Sequence, residues 1–307
     1  MICRVLATAN TQQSVCGGGL AEHPGGVVAA AALTEESTSR FVQAGPIRVH
    51  YNEAGTGAPV IFCEGQGAGT SAWVVYHRVI GPLSRHYRCL LLDQPGYGKS
   101  DAVTVTDESR STMYARTVRD FMDALGIPKA SLVDMSFGAQ TAQVFAIEQP
   151  ERVDKLVLHA SGMPGPTMFG HQPPEGILIM RPAFENPTRD TLRAMMDCFL
   201  YDGPSYTDEE LLIEQRVAAW RSRPDQQEAW RNSKSIQRDL SADLHKIRAP
   251  VLQINGRNDR VQHLETALRL MNHLADSRLM IINRCGHWVP FERPDEFSRL
   301  VHDFLSH

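Results

Sequence analysis

From Phe41 onward the chain carries two kinds of hydrophobic pattern. Phe41-Val42 and Ile47-Val49-Tyr51 alternate with polar positions on either side of Ala44-Gly45-Pro46, which predicts a β-hairpin. Short unbroken apolar runs follow: Pro59-Val60-Ile61-Phe62-Cys63, Cys89-Leu90-Leu91-Leu92-Asp93, Ser131-Leu132-Val133, Lys155-Leu156-Val157-Leu158, Val251-Leu252-Gln253-Ile254 and Leu279-Met280-Ile281-Ile282. Such runs fit strands buried on both faces of a mostly parallel sheet. Helical spacing fills the intervals at about residues 111–125, 137–149, 262–275 and 294–306. Strand–helix alternation predicts an α/β architecture, a central sheet with helices on both faces and right-handed crossovers.

The alternation breaks between Pro164 and about Leu244. That stretch is Pro-rich at first and then helical in pattern, over Arg189–Leu200, Asp208–Arg221 and Asp225–Ile236. It predicts a helical lid, residues 164–244, inserted into a core made of residues 40–163 and 245–307. Residues 1–39 are rich in Gly, Ala, Ser and Thr and read as a flexible arm, with Val27–Leu33 apolar enough for a short helix. The arm resembles neither a signal nor a transit peptide, since Arg4 is its only early charge and no long apolar stretch follows.

Composition narrows the function classes. Of 307 residues, 42% are hydrophobic and 21% charged, ordinary for a globular enzyme and unlike a disordered chain. Lys and Arg number 31 against 35 Asp and Glu, a net charge of −4, so there is no basic excess to neutralise phosphates and nucleic acid is not an expected partner. No apolar run approaches the ~20 residues needed to span a bilayer, so no membrane association is expected. Six cysteines are scattered without a CxxC pair, which argues against a zinc ribbon or a disulfide framework and points to a reducing compartment, the cytoplasm. Neither a metal site nor a cofactor is expected.

The candidate chemistry begins at Leu132-Val133-Asp134-Met135-Ser136-Phe137-Gly138-Ala139, where a buried strand runs into a helix with Ser at the corner. A nucleophile on such a turn is exposed, and the N–H that follows it is free at a helix N-terminus to bind an oxyanion. The usual pattern is Gly-x-Ser-x-Gly. Here Asp134 occupies the first Gly position, so this segment taken alone reads equally well as an N-cap serine. Two further segments shift the balance. Gly256-Arg257-Asn258-Asp259 places a carboxylate just past a strand end, and Arg284-Cys285-Gly286-His287-Trp288 places a histidine in the loop after the last strand. The order Ser…Asp…His is that of the α/β-hydrolase triad. Ser136 would be the nucleophile, His287 its base, and Asp259 the residue that fixes the imidazole. Glu64-Gly65-Gln66-Gly67-Ala68-Gly69 follows another strand. Its alternate glycines let the backbone approach a ligand, and no Gly-Lys-Ser/Thr follows to make it a phosphate loop.

From about Ser39 to the C-terminus the chain resembles the meta-cleavage-product hydrolases, α/β-hydrolases that cleave a carbon–carbon bond in vinylogous 1,5-diketones formed by aromatic-ring dioxygenases. The resemblance rests on Gly67-Ala68-Gly69-Thr70-Ser71-Ala72-Trp73, Leu92-Asp93-Gln94-Pro95-Gly96-Tyr97-Gly98-Lys99-Ser100-Asp101, Met122-Asp123-Ala124-Leu125-Gly126-Ile127, Gly165-Pro166-Thr167-Met168-Phe169, Phe199-Leu200-Tyr201-Asp202 and Cys285-Gly286-His287-Trp288. It implies an α/β-hydrolase fold with a lid, no cofactor, and a small acidic dienone as substrate. It implies backbone N–H groups of Gln66 and Phe137 for the oxyanion and Arg216 for the dienol or carboxylate end of the substrate. It also implies a pocket lined by Phe199, Trp288, Gly65 and Gly67. A homodimer or larger homo-oligomer is compatible with it.

The chain departs from the family around the candidate nucleophile: Ala68 replaces a Pro, and the usual Gly-Asn-Ser-Met-Gly-Gly elbow is Asp134-Met135-Ser136-Phe137-Gly138-Ala139. Glu64 stands where His is usual before the oxyanion loop, Asp134 replaces the first Gly of the elbow, and Met135 replaces an Asn. Glu64 and Asp134 both end strands that converge, which suggests two carboxyls meeting behind the site and sharing a proton. The alternative is that one of them caps a neighbouring N–H or faces solvent. The expected reaction is hydrolytic cleavage of a 2-hydroxy-6-oxo-2,4-dienoate-like compound. A carboxylesterase or lactonase on the same scaffold is a second reading, and a lyase, isomerase or ligand-binding pseudoenzyme a third.

Overall fold

Residues 33–162, 173–203, 206 and 208–307 are described by a computed structural model. The arm expected before Ser39 falls almost wholly outside them, and so do the helix expected at Val27–Leu33, apart from Leu33 itself, and the segment Gly165–Phe169. Eight strands, β1 (Ser39–Ala44), β2 (Ile47–Ala54), β3 (Pro59–Cys63), β4 (Arg88–Leu92), β5 (Ala130–Met135), β6 (Val153–His159), β7 (Val251–Gly256) and β8 (Ser277–Ile282), form one sheet in the order β1-β2-β4-β3-β5-β6-β7-β8. The hairpin β1–β2 and the pair β2–β4 are antiparallel, and all other pairs are parallel.

The helices among the described residues are α1 (Glu35–Thr38), α2 (Ala72–Leu83), α3 (Arg110–Ala124), α4 (Phe137–Glu148), α5 (Glu175–Glu185), α6 (Arg189–Phe199), α7 (Glu209–Arg221), α8 (Pro224–Asn232), α9 (Leu264–His273), α10 (Val289–Glu292) and α11 (Pro294–Ser306). Successive strand residues project to opposite faces. Ile61, Leu90 and Leu92 accordingly join α3 and α4 in one apolar cluster, while Val60, Phe62 and Leu91 join α2, α11, α5, α6 and α7 in the other. Local chemistry sets several of the boundaries. Ser109 caps α3 through the Thr112 N–H, and α3 ends where Gly126 takes φ +64° and Ile127 N–H returns to the Met122 carbonyl at 2.8 Å.

The structure differs from the sequence expectation in several places. Glu35–Thr38, at the end of the expected arm, form α1, and α8 stops at Asn232, short of the expected Ile236. A helix, α2, occupies 72–83, where no element was expected. The Pro-rich start of the 164–244 segment contains α5. The run at 279–282, expected to be buried on both faces, belongs to the edge strand β8, where Met280 and Ile281 are exposed. Among the described residues no helix is long and apolar enough to cross a membrane.

Candidate active site

Ser136 sits between the last residue of β5 and the first of α4, at φ 52° and ψ −111°. A residue with a side chain is strained there, and only its surroundings hold it in place. The Ser136 N–H is tied to the His159 carbonyl at 3.0 Å. Close packing of α4 against the end of β3 completes the corner: a β-carbon at Gly138 would lie 2.6 Å from the Glu64 carbonyl oxygen. On the other side, a β-carbon at Gly65 would come within 3.1 Å of that of Ser136. The hydroxyl is half-buried and has no hydrogen-bond partner among the described residues. The backbone N–H of Phe137, at the first position of α4, has no intrahelical acceptor, and Gln66, Ser136 and Phe137 border one cavity.

The candidate histidine and carboxylate lie past two other strand ends. Asp259 follows β7; one of its oxygens accepts the N–H groups of Val261 (2.7 Å) and Gln262 (2.9 Å), and the other contacts His287 Nδ1 at 2.8 Å. His287 is buried, meets the Phe199 ring at a tilt of 60° with centroids 4.9 Å apart, and donates its backbone N–H to the Phe199 carbonyl at 2.6 Å. Glu292 clamps the same junction. Its two carboxylate oxygens accept the N–H groups of Gly286 and Tyr201, each at 2.7 Å, so the loop that carries the histidine is fastened to the end of α6. Burial holds the Glu292 carboxyl above the usual carboxylate range. The clamp needs a glycine: a β-carbon at Gly286 would meet the Phe199 carbonyl oxygen at 2.3 Å.

A second, smaller recess is lined by Gly65, Gln66, Met135, Phe199, Arg216 and Trp288. Arg216 reaches it from α7 and is only 3% exposed. Its Nε donates to the Ala68 carbonyl at 3.1 Å and its Nη1 meets the Met196 sulfur at 3.7 Å, and among the described residues no carboxylate pairs with it. A buried guanidinium without a counter-charge is costly, and burial lowers its pKa to about 10, still far above neutral pH. The glycines of the oxyanion loop make room for it. A β-carbon at Gly67 would lie 2.5 Å from Arg216 Nη2, and one at Gly69 2.0 Å from the Arg216 carbonyl oxygen. The site thus brings together the elbow, the oxyanion loop, the histidine loop and one cation.

Comparison with known proteins agrees with this geometry. The family model for the alpha/beta hydrolase fold matches residues 58–294. A 2-hydroxy-6-oxo-6-phenylhexa-2,4-dienoate hydrolase of Comamonas testosteroni is 41% identical over 89% of this chain and 98% of its own length. A 2-hydroxy-6-oxononadienedioate/2-hydroxy-6-oxononatrienedioate hydrolase of Paraburkholderia xenovorans is 38% identical over 90% of this chain and 98% of its own length. The solved structure of a meta-cleavage product hydrolase from Pseudomonas fluorescens superimposes with a TM-score of 0.75 at 28% identity, covering 87% of this chain and 97% of that one. The chain belongs to the meta-cleavage-product hydrolases. It is an enzyme of the α/β-hydrolase fold, as the order of its strands and of Ser, Asp and His anticipated.

In this meta-cleavage-product hydrolase the two unusual carboxyls do not share a proton. Asp134 stands opposite Cys63 in the β3–β5 register and takes the Cys63 N–H at 2.6 Å. Glu64, one residue further, projects to the other side. Its Oε1 accepts the Gln94 N–H at 3.0 Å, its carbonyl accepts Gln94 Nε2 at 2.7 Å, and its Oε2 is buried without a partner. No hydrogen bond joins the two carboxyls; each caps its own backbone N–H. Burial raises both pKa values, and Asp93 adds to the effect on Glu64. A carboxyl whose pKa rises on folding contributes less stability as pH climbs from the unfolded value of about 4.3 through the folded one. Glu64→Gln keeps the acceptor for Gln94 and removes that loss. The variant should therefore be more stable than the parent at pH 8, with the gap closing toward pH 4, and should keep most activity. Urea unfolding at both pH values checks this, and an equal offset at both would contradict it.

The Glu292 clamp and the Glu64–Gln94 clasp were not foreseen from the sequence. Glu292 offers one signal, a Glu five residues after the candidate histidine, but Tyr201 is 91 positions away and nothing in either segment announces the contact.

Proposed function

We propose that this chain hydrolyses the carbon–carbon bond of 2-hydroxy-6-oxo-2,4-dienoates through Ser136, His287 and Asp259. The observation that carries the reading is Arg216, a buried cation with no carboxylate partner, set beside the loop that precedes the nucleophile. A neutral ester offers such a group no counter-charge. An acidic dienone supplies the missing counter-charge, and a guanidinium can fork onto its carboxylate oxygens.

In this reading the substrate carboxylate and the adjacent 2-oxygen lie at Arg216. The dienol becomes the keto form with Arg216 and His287 assisting. His287 then takes the Ser136 proton as Oγ attacks the 6-oxo carbon, while Asp259 orients and stabilises the imidazolium. The N–H groups of Gln66 and Phe137 receive the oxyanion. When the C5–C6 bond breaks, its electron pair passes into the ketonised fragment, which leaves as a 2-hydroxydienoate after protonation. Water activated by His287 releases the carboxylic acid from Ser136. Delocalisation makes the carbon leaving group acceptable to ordinary esterase machinery. Phe199 and Trp288 wall the recess. Residues 164–244 act as a lid, and the Glu292 clamp fastens that lid to the histidine loop. The buried thiols of Cys63, Cys89, Cys198 and Cys285 suit a reducing cytoplasm.

Purified protein incubated with a synthetic 6-substituted dienoate should bleach the dienolate absorbance and release one equivalent each of hydroxydienoate and acid. Turnover of nitrophenyl esters with an intact dienoate chromophore would replace this reading with the esterase one.

A further inference from the structure

Resting on the function proposed above, we infer that the acyl side of the site selects dienoates whose 6-substituent is a polar, hydrogen-bonding chain rather than a bare aryl ring. Related enzymes do not decide the matter: one is named for a 6-phenyl substrate and another for a dienedioate.

The observation is the chemistry of the larger cavity. It has a volume of about 660 Å³ and opens from Ser136, Gln66 and Phe137. Gln140 and Gln143 lie three residues apart on α4, so both face the cavity from one side of the helix. Ser161, two residues past the end of β6, joins them. Gln143 and Ser161 are buried, at 3% and 6% exposure. Gln143 Nε2 makes only a 3.2 Å contact with the Ala139 carbonyl, and its side-chain oxygen accepts from no described residue. The Gln140 amide and the Ser161 hydroxyl likewise have no side-chain partner among the described residues. Two amides and a hydroxyl with unspent capacity therefore stand within the cavity that receives the acyl group.

A phenyl ring would strip water from these groups and return nothing, leaving buried donors and acceptors unpaired. A chain ending in a carboxyl, hydroxyl or amide would satisfy them. Ile177, Met180 and Val261, which also line the cavity, suit its methylene stem. Arg238 adds no free cation at this cavity, because its Nη1 is already given to Glu148 at 2.5 Å and Thr112 at 3.1 Å. Selection thus rests on hydrogen bonding more than on charge.

The test compares kcat/KM for dienoates bearing 2-carboxyethyl or phenyl at C6, alongside nitrophenyl esters of the matching acids, succinate and benzoate. The carboxyethyl dienoate should be preferred at least about tenfold. The double variant Gln140→Ala, Gln143→Leu, built from good helix formers, should erase or invert that ratio. Preference for phenyl by the parent enzyme, or an unchanged ratio in the double variant, overturns the inference. If neither dienoate is cleaved but the succinate ester outruns the benzoate ester, the carbon–carbon reading fails and the polar acyl preference stands. If the benzoate ester is favoured, the preference fails as well.

Discussion

Ser136→Ala should lower dienoate turnover by about three orders of magnitude or more, with no loss of thermal stability. Removing a triad nucleophile leaves only binding and oxyanion stabilisation to act on the substrate. The folded state loses little, because the hydroxyl is half-buried and hydrogen-bonded to no described residue. The backbone at 136 keeps its positive φ of 52° in the variant, so the strain of the corner stays. Ser136→Gly should be equally inactive yet more stable, since glycine occupies this region without a steric penalty, a difference on the order of 1 kcal/mol. Single-turnover assays and thermal melts of both variants separate the two effects. Activity above a few per cent in the alanine variant would remove Ser136 from the nucleophile role, and a glycine variant no more stable than the alanine one would show that the corner is unstrained.

The elbow was legible because three local signals coincide there: an apolar strand, an immediate helix, and a serine between small residues. The order of Ser, Asp and His added what no single segment carried. Elements whose pattern is set by distant packing were harder to see. In α2 the buried residues Ala72, Val75, Tyr76, Val79, Ile80 and Leu83 do keep one helical face, but Trp73 and Val74 off that face are apolar as well and Gly81-Pro82 interrupt the last turn, so the sequence shows neither a clean period nor a normal end. α5 hides in the same way behind Pro174, Gly176 and Pro182. At 279–282 the sequence is as apolar as in any interior strand, yet β8 lies at the sheet edge and Met280 and Ile281 are exposed. Side-chain destinations were the least legible of all. The ends of β3 and β5 do lie side by side, with Cys63 opposite Asp134. Strand register then sends Glu64 and Asp134 to different donors, and a one-residue offset decides that outcome.

Arg216 owes its expected role to the family resemblance, and the structure adds its burial. From the residues alone it is a charge in a helical pattern, and Leu211-Leu212-Ile213 and Val217 near it in α7 do not say that its head is buried. Once buried without a carboxylate, it either binds substrate or holds the Gly67–Thr70 loop through the Ala68 carbonyl. Arg216→Ala distinguishes these roles. If the guanidinium pairs with the dienoate carboxylate, kcat/KM for the acidic dienoate should fall about 30- to 1,000-fold, corresponding to roughly 2–4 kcal/mol of charge-assisted contact. Neutral nitrophenyl esters, which present no anion, should lose less than about fivefold. Arg216→Lys retains the charge but not the planar fork, so its dienoate activity should lie between those of the parent and the alanine variant. A loop-holding role predicts a different pattern. Misplacing Gln66 would weaken the oxyanion site for every substrate, so dienoate and ester rates would fall together, and lysine, which cannot reproduce the Nε contact to Ala68, would do no better than alanine. Parallel kinetics on the two substrate classes therefore assign the cation, and equal losses on both would move the carboxylate-binding step away from Arg216 and strengthen the esterase alternative.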